Sequence, residues 1–200
     1  METLGITRFE DLVAHLDGVI EAARSAPVDS EALEFVVAVR RRLVRIHNHI
    51  TDQPHDTEPE KAPQAKTISD SRDLIDKFGQ ISEAARGDGL SATLTHYLHT
   101  ARMRLRFIVG SQGGRRIINR DERTGEAKLR WSQGEMTVEV VDSSAYGLGV
   151  ISKNPLPEDA VVEVTTDEEG SRRCYQCLVV YCEQQRFHYH IGLEIFAQKP

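Results

Sequence analysis

The chain has 200 residues, of which 40% are hydrophobic and 28% charged, and its formal net charge at pH 7 is -6. This composition is typical of a globular protein of one or two domains, and the acidic balance argues against binding to nucleic-acid polymers, which favours a basic face. No apolar run reaches the roughly 20 residues of a membrane span, and no signal peptide is recognisable. The chain has three cysteines, an odd number that suits a reducing compartment better than a set of disulfides. A cytoplasmic protein is therefore expected.

The first part of the sequence has the periodicity of amphipathic α-helices. From Thr7, an expected N-cap, apolar residues recur along one helical face, and Pro27 ends the run. A second helix is expected to follow, with an N-cap near Asp29 or Ser30. The pattern therefore predicts a helical hairpin at the start of the chain.

A second pair of helices is predicted after a break. Residues 52–67 include three prolines and almost no large apolar side chain, so they are expected to form a linker or a long loop. A third helix is expected from about Ser71 to the glycines Gly87 and Gly89, and a fourth helix after Ser91.

The two predicted hairpins resemble each other in sequence. Shifted by 62 residues, segment 6–46 aligns without a gap on segment 68–108, and identical residues occur in both helices of each pair. We interpret the match as a tandem repeat. Because a single hairpin cannot bury its own apolar face, the two copies are expected to form a four-helix bundle over residues 1–109. This bundle carries no recognisable chemical motif and is interpreted as a scaffold or an interaction surface.

After Gly110 the hydrophobic pattern changes to the alternation of β-strands. Short strand-like stretches separated by turn residues predict a small antiparallel barrel or sandwich over residues 110–200. The expected strands lie at residues 135–144, 161–166, 175–183 and 187–196. The fold class predicted for the whole chain is α+β multidomain, with duplicated helical hairpins followed by a small antiparallel β-barrel.

Three arginines follow a glycine-bearing segment at the start of the β half. Arg115 and Arg116 come directly after two glycines, and Arg120 follows four residues after Arg116. A guanidinium group presents a planar fork of donors that pairs bidentately with phosphate or with a guanine edge. A solvated hinge would also have this composition, but in an acidic chain the cluster suggests an anion-binding site.

A second polar motif, DSSAYG, begins 22 residues after the last of these arginines. Asp142 and Ser144 supply small acceptors and donors beside backbone amides, and Gly147 allows another group to approach the backbone closely. Taken alone, the segment would be an ordinary hairpin turn. Its order and separation from the arginines make the pair of motifs more specific than either motif alone.

The two motifs and the strands behind them resemble the PilZ domain family. The arginines have the spacing RxxxR, DSSAYG has the spacing DxSxxG, and the last strand has a Gly-hydrophobic-Glu-hydrophobic-Phe ending. The resemblance covers residues 111–197. It implies a small β-barrel that binds the bacterial second messenger cyclic di-GMP.

The resemblance also implies roles for the motif residues. The arginines would contact the ligand phosphates and the O6 and N7 atoms of guanine. The carboxylate would accept hydrogen bonds from guanine N1 and N2, and the glycine would keep the backbone open to the base. The implied cyclic di-GMP-binding residues are Arg115, Arg116, Arg120, Asp142, Ser144 and Gly147, with no catalytic or metal-binding residue among them.

These features predict a receptor or adaptor and not an enzyme. Ligand binding next to the glycine hinge is expected to reorient the barrel against the helical domain and so to control an unidentified partner protein. The alternative is a PilZ-like scaffold that acts only through protein–protein interaction. A bundle with spare apolar surface also allows a homodimer.

Other chemistry is disfavoured by residue spacing and composition. Cys174, Cys177, Cys182, His188 and His190 match no common zinc module, and residues 174 and 177 would point to opposite faces of a strand. The histidines have no nucleophile or acid beside them in a recognisable catalytic motif. With 6% aromatic residues, the barrel is poorly equipped to bind RNA. No cofactor is therefore expected apart from the ligand.

Overall fold

A computed structural model of the protein describes residues 4, 6–52, 67–86, 90–110, 121–168 and 171–199. These residues form four α-helices followed by six β-strands. The chain divides into two compact units, Met1–Ile117 and Ile118–Pro200. The predicted domain boundary at residue 110 adjoins residues outside the described ranges, and most of the predicted linker 52–67 lies outside them. Both therefore stay predictions. Gly87 and Gly89, expected to end the third helix, also lie outside them.

The first unit contains the four helices predicted from the hydrophobic periodicity. They are α1 (Phe9–Arg24), α2 (Ser30–Thr51), α3 (Ser71–Ala84) and α4 (Ala92–Gly110). Helices α1 and α4 each pack against both α2 and α3. Their largest fully buried side chains are Leu12, Leu16, Leu43, Ile46, Leu74, Phe78, Leu94, Tyr97, Leu98 and Leu105. None of the helices in the described part of the chain is long and apolar enough to cross a membrane.

Carboxylates bind backbone N–H groups at the N-termini of α1, α2 and α3. Asp29 is the N-cap of α2, as predicted, and accepts a hydrogen bond from the Ala32 backbone N–H. The predicted N-cap of α1, Thr7, is wrong by one residue, since Arg8 is the N-cap. The Asp11 carboxylate accepts hydrogen bonds from the backbone N–H groups of Thr7 and Arg8. A carboxylate that satisfies these otherwise unpaired donors stabilises a helix start by about 1 kcal/mol.

The two predicted hairpins have matching boundaries. Helices α1 and α3 begin at Phe9 and Ser71, and α2 and α4 begin at Ser30 and Ala92, so both pairs of starts are 62 positions apart (71 − 9 and 92 − 30). This spacing equals the shift that aligns the two sequence segments.

An ion pair joins the two helices of each hairpin at the same repeat position. Arg40 in α2 pairs with Asp17 in α1, with an Nε–Oδ1 distance of 2.9 Å. Its counterpart in α4, Arg102, pairs with Glu83 in α3. The acidic partner comes from a different turn in each hairpin, so the arginine position recurs while its partner does not.

The second unit is a closed antiparallel barrel with strand order β1-β2-β3-β6-β5-β4. Its strands are β1 (Asp121–Trp131), β2 (Gly134–Ser144), β3 (Gly147–Ser152), β4 (Val161–Glu168), β5 (Ser171–Gln185) and β6 (His188–Lys199). Pairing of residues 127–130 in β1 with residues 163–166 in β4 closes the barrel. Of the two predicted architectures, the barrel is therefore confirmed.

Two of the strands are missing from the sequence prediction. In β1, Ala127, Leu129 and Trp131 form the apolar face between charged neighbours, so the alternating pattern is weak. Strand β3 begins inside the DSSAYG motif, at Gly147, where the sequence indicates a turn. Both strands pair with neighbours on two sides. Pairing and burial therefore form strands that the local pattern does not predict.

Inward-facing residues of all six strands fill the barrel. The core consists mainly of valine and leucine side chains and includes one cysteine. Its fully or nearly fully buried members include Leu129, Val138, Val150, Val164, Cys177, Val179, Ile191 and Leu193. This alternation of inward and outward residues decides which polar side chains face away from the core.

Candidate ligand-binding site

The DSSAYG motif spans the end of β2, a tight turn and the start of β3. Asp142 and Ser144 lie at the end of β2, and Gly147 is the first residue of β3. The carbonyl of Tyr146, in the turn, accepts a hydrogen bond of 2.9 Å from the Ile195 backbone N–H in β6. The structure thus brings the three predicted residues of this motif together at one end of the barrel.

A β-bulge at Val141 sets the direction of the motif side chains. Val140 pairs with Val150 and Asp142 pairs with Gly149, so β2 has one more residue than β3 between these two pairs. Val140 and Val150 belong to the barrel core. Because paired residues share a face and the faces alternate along β3, Gly149 and Asp142 lie on the outer face. If Val141 were instead paired with Gly149 in a regular ladder, Asp142 would pair with the inward-facing Leu148 and take an inward position.

The Asp142 carboxylate lies against the α-carbon of Gly149. A β-carbon added at residue 149 would stand 2.5 Å from Oδ1, 2.7 Å from Cγ and 2.8 Å from Oδ2 of Asp142. These distances are all shorter than van der Waals contact. The absence of a side chain at residue 149 therefore leaves the space that the half-buried carboxylate fills.

The Ser144 hydroxyl closes the turn between β2 and β3. It accepts a hydrogen bond from the Tyr146 N–H at 3.3 Å and donates one to the Gly147 carbonyl at 3.4 Å. Serine hydroxyls commonly bond the backbone in this way within turns. Ser144 therefore has a structural role, and its predicted contact with a ligand stays a prediction.

Gly147 is buried because the backbone of β6 passes close to it. A β-carbon at this position would stand 2.5 Å from the carbonyl oxygen of Leu193. Close packing of β3 against β6 thus explains why this position has no side chain. The predicted role of Gly147, to keep the backbone open to a purine base, stays a prediction.

A row of four residues crosses the outer face of the barrel from Asp142 to Tyr181. Asp142 pairs with Gly149, Gly149 with Gly192, and Gly192 with Tyr181. The Tyr181 ring covers Gly192, where a β-carbon would stand 2.1 Å from Cε1, 2.6 Å from Cδ1 and 2.7 Å from Cζ. Sequence reasoning missed Gly192 and Tyr181 as neighbours of the motif, because only strand pairing reveals that the two glycines are adjacent.

The arginine motif cannot be placed relative to this row. Arg115, Arg116 and Arg120 lie outside the described residues. In sequence they immediately precede β1, whose first residues pair with the end of β2 through Asp121–Ser143 and Glu122–Asp142 backbone partners. The described strand that follows the arginines therefore begins beside the DSSAYG motif.

Cys177 has the properties of a buried structural side chain. Burial raises the pKa of the Cys177 thiol well above its usual range, and the neighbouring Cys174 and Glu194 raise it further. All three cysteines are free thiols. Within the described ranges, no group of three or more His, Cys, Asp and Glu side chains could hold a metal ion.

Comparisons with known proteins give a weak structural likeness. No protein-family model matches the chain, and no curated protein matches it. Among solved structures, the PilZ domain of CeSA from a cellulose-synthesising bacterium has 16% sequence identity and a TM-score of 0.32, over 38% of this chain and 80% of that one. A TM-score of this size supports no argument about this chain, so the resemblance to PilZ domains depends on the two motifs and on the six-stranded barrel.

Proposed function

We propose that this protein is a bacterial cyclic di-GMP receptor of the PilZ type. The observation that carries the proposal is the outward placement of Asp142 by the β-bulge at Val141. The bulge removes a carboxylate from the apolar interior and leaves it half-buried on the outer face, beside the start of β1. The RxxxR motif directly precedes that strand in the sequence.

The chemistry of these residues suits a guanine dinucleotide. The Asp142 carboxylate can accept from both N1–H and N2–H of guanine, which form a two-donor edge. In the proposal Arg115, Arg116 and Arg120 supply bidentate donors to phosphate oxygens and to guanine O6 and N7. Ser144 and Gly147 complete the ligand-binding set. The net charge of -6 agrees with a small anionic ligand at a local site and not with a nucleic-acid polymer.

The proposed mechanism is a ligand-driven switch without catalysis. Two compact units, with glycines in the sequence between α4 and β1, provide the two bodies that a switch requires. Ligand binding would shift the population towards one arrangement of the units and so expose or cover a surface for a partner protein in the cytoplasm.

We further propose that the helical unit is a bundle of two duplicated hairpins. The equal 62-residue spacing of the helix starts supports this origin. The recurrence of an interhelical ion pair at Arg40 and Arg102 supports it as well. In the proposed switch this bundle contacts the partner protein.

Calorimetric titration with cyclic di-GMP tests the proposed ligand. Wild-type protein should bind at micromolar concentrations, and Arg116→Ala and Asp142→Ala should each weaken binding at least about tenfold, since each removes a bidentate contact. Arg130→Ala is the matched control, because Arg130 is 68% exposed and pairs with Glu135 on the hairpin of β1 and β2. Absence of binding by the wild type, or equal binding by Arg116→Ala, would contradict the proposal.

The second candidate function is a barrel that binds only protein. Phe187, in the hairpin between β5 and β6, is 94% exposed, and an exposed aromatic side chain favours a contact with another protein. The same titration separates the two functions, because a scaffold of this kind gives no heat with the dinucleotide.

A further inference from the structure

We infer that Gly149, which lies outside both motifs, is a positioning residue that holds the Asp142 carboxylate where it selects guanine. The inference rests on the proposed function and adds the basis of ligand selectivity. Its starting point is that Gly149 and Asp142 are cross-strand partners on the outer face of the barrel.

The atoms around Gly149 make this position different from Gly147. A β-carbon at residue 149 would meet three atoms at the end of the Asp142 side chain, at 2.5–2.8 Å. A β-carbon at Gly147 would instead meet the backbone oxygen of Leu193 at 2.5 Å. A side-chain end can rotate away, whereas the backbone of a paired strand cannot move without disturbing the barrel. A methyl group at residue 149 is therefore expected to move the carboxylate and to leave the strands in place.

The size of the movement decides its effect on binding. Relieving a 2.5 Å approach to ordinary contact at 3.4 Å or more requires a displacement of about 1 Å. Binding groups have to remain within about 0.5 Å and 10–20° of their productive geometry. The carboxylate of a Gly149→Ala variant would thus no longer meet both donors of a guanine edge.

The ligand chemistry gives a readout that a purely structural role would not change. Guanine presents N1–H and an N2 amino group to a carboxylate, whereas hypoxanthine lacks the amino group and presents only N1–H. A site built to pair with a donor rejects the analogue without it, because the buried acceptor loses its partner. The wild-type site should therefore prefer cyclic di-GMP to cyclic di-IMP, and this preference should depend on the position of the Asp142 carboxylate.

The experiment compares both dinucleotides on full-length wild type, Gly149→Ala and Gly125→Ala by calorimetry, with thermal melting in parallel. Gly125 is the control glycine, since a β-carbon there meets no atom of the described residues within 4 Å. Wild type and Gly125→Ala should prefer cyclic di-GMP at least about tenfold. Gly149→Ala should lose most of that preference, through weaker binding of cyclic di-GMP, while its melting temperature stays within about 3 °C of wild type.

A double variant tests the route of the effect. If Gly149 acts through Asp142, adding Gly149→Ala to Asp142→Ala should weaken cyclic di-GMP binding no further, because residues acting as one unit are not additive. Additive losses would overturn the inference.

The remaining outcomes also decide between the two proposals. Wild-type affinity and selectivity in Gly149→Ala would overturn the inference and leave the proposed function standing. Equal weakening of both dinucleotides, with a lowered melting temperature, would show a structural role and overturn the inference as well. Failure of wild type to bind either dinucleotide would overturn the proposed function and, with it, this inference.

Discussion

Glycine occurs twice in β3, and the two glycines face different kinds of atoms. Gly149 faces the Asp142 carboxylate, and Gly147 faces the Leu193 carbonyl in the neighbouring strand. A change to alanine therefore tests the position of the Asp142 side chain at residue 149, whereas at residue 147 it tests the spacing between β3 and β6.

Gly147→Ala is expected to destabilise the barrel. The added β-carbon would force β3 and β6 apart, and overpacking of this kind typically costs about 1–3 kcal/mol. Chemical denaturation measures the loss. Gly134→Ala is the control, since its β-carbon would stand 3.7 Å from the Trp131 ring, an ordinary contact. A denaturation midpoint for Gly147→Ala equal to that of the control would show that the strands tolerate the methyl group.

The sequence alone points to the residues of the DSSAYG motif but not to the residues that lie beside them in the barrel. The resemblance to the PilZ motif implies Asp142, Ser144 and Gly147 as ligand-binding residues, and their proximity to one another follows from the turn, which places residues close in sequence close in space. Gly192 and Tyr181 belong to β6 and β5, and their proximity to the motif depends on the register of strands far apart in the chain. Local sequence patterns do not show which residues of distant strands are paired.

At the scale of elements, α1 and α2 are joined by a bidentate ion pair. Arg40 donates from Nε and Nη2 to the two carboxylate oxygens of Asp17, both at 2.9 Å. The side chains are only 20% and 22% exposed. Partial burial and two parallel hydrogen bonds make such a pair stronger than an ordinary surface pair.

A double-mutant cycle on Asp17 and Arg40 should show a coupling energy of about 1 kcal/mol in the free energy of unfolding. The control is the cycle on Glu21 and Arg24, which pair within α1 with side chains 72% and 61% exposed and should show coupling near zero. Denaturant unfolding of the single and double variants measures both values. A coupling between Asp17 and Arg40 no larger than that of the exposed pair would contradict the expectation.

The helices could be predicted more completely than the strands. The caps and apolar periodicity that define α2 and α3 are local features, so their starts follow from a few neighbouring residues. Strand β1 has charged residues through most of its length and is stabilised by pairing with β2 and β4. Its existence therefore depends on residues that lie later in the sequence.

At the scale of the whole molecule, the proposed switch requires that the ligand change the arrangement of the two units. Small-angle scattering of the wild type should differ between the ligand-free protein and the protein saturated with cyclic di-GMP, because the ligand favours one arrangement. Asp142→Ala should require a ligand concentration at least about tenfold higher to give the same change. Superimposable wild-type curves at saturation would rule out the switch and would leave ligand binding itself untouched.

The division into a helical unit and a barrel could be predicted because the hydrophobic period changes once along the chain. The helical buried positions repeat every three to four residues up to Leu105, and the barrel alternates from Ala127 onwards. A partner protein leaves no comparable periodic signal, since contact surfaces differ little in overall composition from the rest of a protein surface.

The extra residue Val141 makes the direction of the Asp142 side chain depend on the register between β2 and β3. A shift of one residue in this register, which would pair Val141 with Gly149, would exchange inside and outside for the last residues of β2. The carboxylate would then turn into the apolar interior, and Ser143, which now pairs with the inward Leu148, would turn outwards. A variant of this sequence could thus retain DSSAYG unchanged and still lose the outward carboxylate on which the proposed function depends.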